Sequence, residues 1–252
     1  MATHFGGPGD NWIRGTNGDD LLDGGAGDDT LIGRDGDDSL YGGFHDDVLD
    51  GGFGNDLLKG DDGDDCIFDD GGFNDVFGGA GDDYIDVLGT NVVWAGSGFD
   101  TVLGGKGHDL LNGEGEADEL FGFAGNDSIN GGLGADDITG GKGRDELSGN
   151  GGVDWFYFDR LKDSTNASPD LITDLDSDDR IYLRSIDADV TVGGNQAFHL
   201  AAAFTGDAGE LVRSYNAVTN RTSFQGDVDG DGDADFTIQA TGNHTTFDNF
   251  TL

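Results

Sequence analysis

The sequence predicts an all-β protein: a parallel β-roll advancing 18 residues per turn, capped by a C-terminal β-rich, sandwich-like module. Three observations predict it. A nine-residue word, Gly-Gly-x-Gly-x-Asp-x-apolar-x, recurs in near-perfect phase over residues 6–158, as in GGAGDDTLI (24–32), GGFGNDLLK (51–59), GGAGDDYID (78–86) and GGLGADDIT (131–139). Every word holds one apolar residue at a fixed place. Beyond Phe158 the word stops and alternating strand-like runs take over.

Within a word, the last three residues form a short strand whose middle side chain points inward. The inward file then reads Ile13, Leu22, Leu31, Leu40, Leu49, Leu58, Ile67, Val76, Ile85, Trp94, Val102, Leu111, Leu120, Ile129, Ile138, Leu147 and Phe156. The first six residues form a turn, where glycine supplies backbone angles that a Cβ opposes. Two words complete a flattened turn with two parallel sheets. One apolar residue per word makes a thin core that needs a second source of stability.

The sixth place of each word supplies it. There stand Asp20, Asp29, Asp38, Asp47, Asp56, Asp65, Asp83, Asp100, Asp109, Asp118, Asp127, Asp136, Asp145 and Asp154. Alternate words share an edge of the roll, so these carboxylates stack on two edges with turn carbonyls around them. All-oxygen cages of this kind suit calcium, whereas zinc or copper would want His or Cys. About ten ions are expected, all from the repeats.

Two words break the file on one edge. Residues 69–77 carry Asn74 at the ligand place; residues 87–95 put Val92 there and Trp94 in the core slot. Residues 96–103 are one short, and phase resumes at Gly104. The opposite edge, through Asp29, Asp47, Asp65, Asp83, Asp100, Asp118 and Asp136, is expected to be unbroken. Phe68, Phe73, Phe77, Trp94 and Phe99 gather near the fault, either as a bulge packed on its own aromatics or as a partner patch.

Residues 159–252 form the second domain, which closes the open end of the roll. An uncovered end would expose unpaired backbone and apolar side chains. The stretch 197–215 is compatible with a short helix or with strands. Asp227, Asp229, Asp231 and Asp233, with Gly232 in sixth place, look like the start of an EF-hand loop. Ile238 stands where the bidentate Glu belongs, so the alternatives are a calcium site and an acidic β-turn.

Composition narrows the function. Of 252 residues, 52 are acidic and 12 basic, giving a net charge of −40 that repels DNA, RNA and anionic lipid. Only Glu114, Glu116, Glu119, Glu146 and Glu210 are glutamates; the rest of the acid is Asp, which suits tight loops. No apolar run approaches the length of a membrane span, so membrane insertion is not expected. The opening MATHFGGPGDNW lacks the apolar core of a secretory leader, and Met1 a few residues before the first repeat favours a complete chain. Cys66 is the single cysteine, at an outward place, so no internal disulfide forms. His4, His45, His108, His199 and His244 include no His-Glu-x-x-His, and no Gly-x-Ser-x-Gly or phosphate-binding loop is present.

The nonapeptides resemble those of the RTX family, secreted proteins of Gram-negative bacteria. Residues 224–239 (FQGDVDGDGDADFTIQ) and 247–252 (FDNFTL) are similar to the C-terminal module of serralysin-type metalloproteases. The resemblance implies multiple calcium ions, folding outside the cell, and export by a type I machinery that reads an uncleaved C-terminal signal. Asp248, Phe250 and Leu252 fit the outline of that signal. The expected function is a secreted, non-enzymatic calcium-binding protein, with a surface or matrix partner left open. The alternatives are the tail of an RTX metalloprotease, lipase or alginate epimerase, and a secreted pore-forming or cell-surface protein.

Overall fold

The computed structural model describes residues 2–252. Its secondary structure among these residues is all strand, with no helix. The repeats wind into two parallel sheets that face each other across a single file of apolar side chains. Strands Leu21–Ala26, Ser39–Phe44 and Leu57–Asp62 lie in one sheet, and Thr30–Asp35, Val48–Phe53 and Cys66–Asp69 in the other. The sheets reach 14 and 11 strands.

Strands are commonly six residues long rather than three, because pairing continues into the glycines of the next word, as at Gly25↔Gly43. Gly25 sits at φ 100° and Gly27 at φ 113°, angles that a side chain resists. These two positions turn the chain from one sheet to the other. The core file is fully buried from Leu22 to Phe156, whereas Ile13, at the open end, is only half-buried.

The core file corrects the sequence reading at the fault. Val93, not Trp94, occupies the core slot at 0% exposure, and Asn91, not Val92, stands at the ligand place. The missing residue lies in the word beginning at Val87, not in 96–103. Val87 still pairs with Asp69, 18 residues back, but Thr90 pairs with Phe73, 17 back. Ala95 then opens a full-length word with Asp100 and Val102 in their usual places. A one-residue slip moves each side chain to the other face of a strand. Trp94 therefore points outward and stacks on Phe77 at 4.6 Å and 8°. The expected aromatic cluster is divided: Phe68 meets Tyr84 on the other sheet, and Phe73 and Phe99 are exposed.

Both sheets continue beyond Phe158. Leu171–Ile172 pairs with Glu146–Gly151, and Arg180–Tyr182 pairs with Trp155–Tyr157, so the C-terminal segment begins with one more turn of the roll. An antiparallel meander of Glu210–Asn216, Arg221–Asp227 and Phe236–Thr241 then extends the first sheet through Ile172↔Ala240. Phe250–Thr251 covers the edge of the second through Ile181↔Phe250. The stretch 197–215 holds strands, with His199–Ala201 parallel to Glu210–Asn216. Phe224, Phe247 and Phe250 pack edge-on or tilted over the last turn at 5.2–5.9 Å.

Candidate metal centres

The ligand-place aspartates are buried, between 0 and 3% exposed from Asp20 to Asp154. Stacking arranges them in two files. On one edge, the main-chain N–H of Asn11 donates to Asp29 Oδ1 at 2.6 Å. The same bond repeats at 2.7–3.1 Å from Asp29 to Asp47, Asp65, Asp83, Asp100, Asp118, Asp136, Asp154 and Asp179. On the other edge the file runs from Asp20 through Asp38 to Asp56 and Asn74, and resumes from Asn91 through Asp109, Asp127 and Asp145 to Asp170.

Only one oxygen of each carboxylate is used in this way. Oδ2 of Asp29, Asp38, Asp47, Asp56, Asp65, Asp83, Asp100, Asp109, Asp118, Asp127, Asp136, Asp145 and Asp170 is buried without a hydrogen-bond partner. All but those of Asp100 and Asp170 face a turn glycine, where space is reserved. A Cβ on Gly42 would collide with Asp47 Oδ2 and lie 2.8 Å from the Gly60 carbonyl of the next turn. Carboxylate and carbonyl oxygens thus converge where a side chain would stand. An unpaired buried carboxylate oxygen is costly. Thirteen such oxygens in register fit a row of hard cations, and no donor of the described residues competes for them.

Burial pushes most of the repeat aspartates away from their charged forms. Asp83 and Asp118 are raised to about 8, Asp47 and Asp127 to about 7, and Asp38, Asp65, Asp100, Asp109, Asp145 and Asp154 to about 6. In each case desolvation dominates, opposed by the N–H from the adjacent turn. Asp170 is raised furthest, to about 9, by burial and then by Asp145.

Asp170 and Asp179 were missed in the sequence because the last turn is longer: their partners Asp145 and Asp154 lie 25 residues back. A signal was present, since DLI (170–172) and DRI (179–181) keep the Asp-x-apolar end of the word. In the C-terminal acidic loop, Asp227, Asp229 and Asp235 bring ligand atoms within 4.8 Å of one another. Asp231 does not join them; it accepts the Asp233 N–H at 2.8 Å, and Asp235 was not among the expected residues. The buried Asp227 accepts the N–H groups of Gly230 and Gly232 at 2.7 and 2.9 Å, which shapes the loop.

The profile described as Peptidase M10 serralysin C terminal matches residues 9–252, nearly the whole chain. The chain belongs to the serralysin C-terminal family. This serralysin-type module is 40% identical over 88 residues to metalloprotease AprA of Pseudomonas entomophila (strain L48), a match covering 34% of the module and 18% of the protease. Among solved structures it is similar to the AlgE6R2 subunit of the Azotobacter vinelandii mannuronan C5-epimerase, at 25% identity and a TM-score of 0.42 over 59% of this chain and 90% of that one. The AlgE6R3 subunit gives 26% identity and a TM-score of 0.32 over 68% and 78%.

Proposed function

We propose that this serralysin-type module is a calcium-binding, non-enzymatic unit that is exported by a type I machinery and folds outside the cell as it takes up several ions. The observation that carries this reading is the two files of buried Oδ2 atoms without partners, of which those of Asp29, Asp38, Asp47, Asp65, Asp83, Asp118 and Asp127 meet a carbonyl oxygen of the adjacent turn. Asp20, Asp29, Asp38, Asp47, Asp56, Asp65, Asp83, Asp100, Asp109, Asp118, Asp127, Asp136, Asp145 and Asp154 would hold the ions, joined by Asp170 and Asp179 at the extra turn. Asp227 and Asp229, with Asp235, would form a separate site in the cap, and Asp231 is the weakest of the proposed ligands there. Calcium supplies positive charge and bridges adjacent turns when bound. The chain supplies the oxygens, the reserved space at glycine and the dry surroundings.

Low cytosolic calcium would leave so acidic a chain unfolded, the state that suits passage through a narrow exporter; millimolar calcium outside would order it. Native mass spectrometry in calcium tests the reading. About ten bound ions are expected, and fewer than about four in the repeats would overturn it.

A second reading, that this module forms the C-terminal calcium-binding and secretion part of an RTX enzyme, is favoured by its match to only 18% of a metalloprotease. Mass spectrometry of the native polypeptide from culture medium separates the two. A product of this length supports the first, and a longer one the second.

A further inference from the structure

The interrupted edge contains a carboxylate that the repeat pattern does not assign. At the fault, Asn74 and Asn91 replace aspartate, and their amides meet the needs that cations would meet elsewhere. Asn74 Nδ2 donates to Asp69 Oδ1 at 2.6 Å and to Asn91 Oδ1 at 2.9 Å. Asn91 Nδ2 donates to the Gly104 carbonyl at 3.3 Å and to Asp109 Oδ1 at 3.2 Å. These two levels are neutral and internally satisfied.

Asp69 stands just before them, at the first place of its word, where glycine is usual. It is 3% exposed. Its Oδ1 accepts the Gly71 N–H at 2.8 Å and the Asn74 amide, which fixes the direction of the other oxygen. Asp69 Oδ2 is buried without a hydrogen-bond partner, and so is Asp56 Oδ2. Both converge on Gly51, where a Cβ would meet them at 2.5 and 2.7 Å. At the level below, the corresponding pair at Gly33 is one carboxylate oxygen, from Asp38, and one carbonyl, from Gly51. Asp69 puts a second carboxylate where the pattern has a carbonyl.

Two anionic oxygens facing one dry space need a positive charge between them. We propose that Asp56 and Asp69 form a divalent-cation site particular to this chain, placed at the lip of the ion-free asparagine levels and oriented by Asn74. The inference rests on the calcium reading above. Two carboxylates balance one divalent ion and, by ligand charge, should hold it more tightly than the single-carboxylate levels. The gap in the file is then confined to Asn74 and Asn91.

Crystals grown in calcium and measured for anomalous scattering decide this. A peak within about 2.3–2.6 Å of both Asp56 Oδ2 and Asp69 Oδ2 is expected. In Asp69→Asn, that peak should disappear while those beside Asp38 and Asp109 remain, and native mass spectrometry should count one ion fewer. Ions elsewhere in the roll with none between Asp56 and Asp69 would overturn this site alone, the pair then sharing a proton. No ions anywhere would instead overturn the calcium reading. If Asp69→Asn does not fold, the unsubstituted protein's map settles the matter.

Discussion

A ladder aspartate such as Asp47 divides its work between two oxygens. Its Oδ1 accepts the main-chain N–H of Asp29 in the adjacent turn, and its Oδ2 lies in a dry space facing the Gly60 carbonyl. Asp47→Asn preserves the first role and removes the charge from the second. In calcium about a hundredfold above its dissociation constant, chemical denaturation should show a loss of about 2–3 kcal/mol, the linkage value of one site. No loss would mean that no ion binds at that level. Arg34 gives a second prediction at this scale. It occupies a glycine place of its word at φ 100°, a region unfavourable to any side chain. Arg34→Gly should raise stability in calcium by about 1 kcal/mol, seen as a higher denaturation midpoint, after allowing for the added freedom of glycine in the unfolded chain. The core slot and ligand place were readable residue by residue wherever the word kept its length. They were misread at Trp94 and Val92, because a deletion at 88–89 leaves no mark in composition and shows only when Val93 is seen inside.

At the scale of the stacked turns, the two edges differ. One carries an unbroken file from Asp29 to Asp179, and the other is interrupted at Asn74 and Asn91. The asymmetry was legible in the sequence, since Asn74 marks it directly. The extra turn at Asp170 and Asp179 was less so, because a longer loop breaks the nine-residue phase that carried the reading. The raised carboxylates predict a pH dependence for the ion-free roll. Unfolded aspartates titrate near 3.8, while Asp47, Asp83, Asp118 and Asp127 in the roll are raised to about 7–8. Between these values the folded form holds protons that the unfolded form has lost. Its stability is therefore fullest below the unfolded value and falls as pH rises through the folded one. In chelator, circular dichroism should show more β structure at pH 5 than at pH 8. The reverse order would mean that the files carry charge in the ion-free fold without penalty.

Across the whole molecule, one apolar side chain per word and a net charge of −40 face each other with little between them. The core is one continuous cluster, a file of side chains along the roll that widens at Phe224, Phe236, Phe247 and their neighbours, and on the calcium reading the roll depends on what occupies its edges. On that reading such a stack should order cooperatively, since each ion would join two turns. Magnesium should substitute poorly, because it demands a tighter octahedral shell than these spaced oxygens offer. The most direct test is far-ultraviolet circular dichroism of the whole chain at pH 7.5, first in chelator and then in millimolar calcium. A disordered spectrum that converts to a β spectrum in a single cooperative calcium transition is predicted. Equal β content in the two conditions would contradict the account, leaving the aspartate files as buried acid that the fold tolerates unaided.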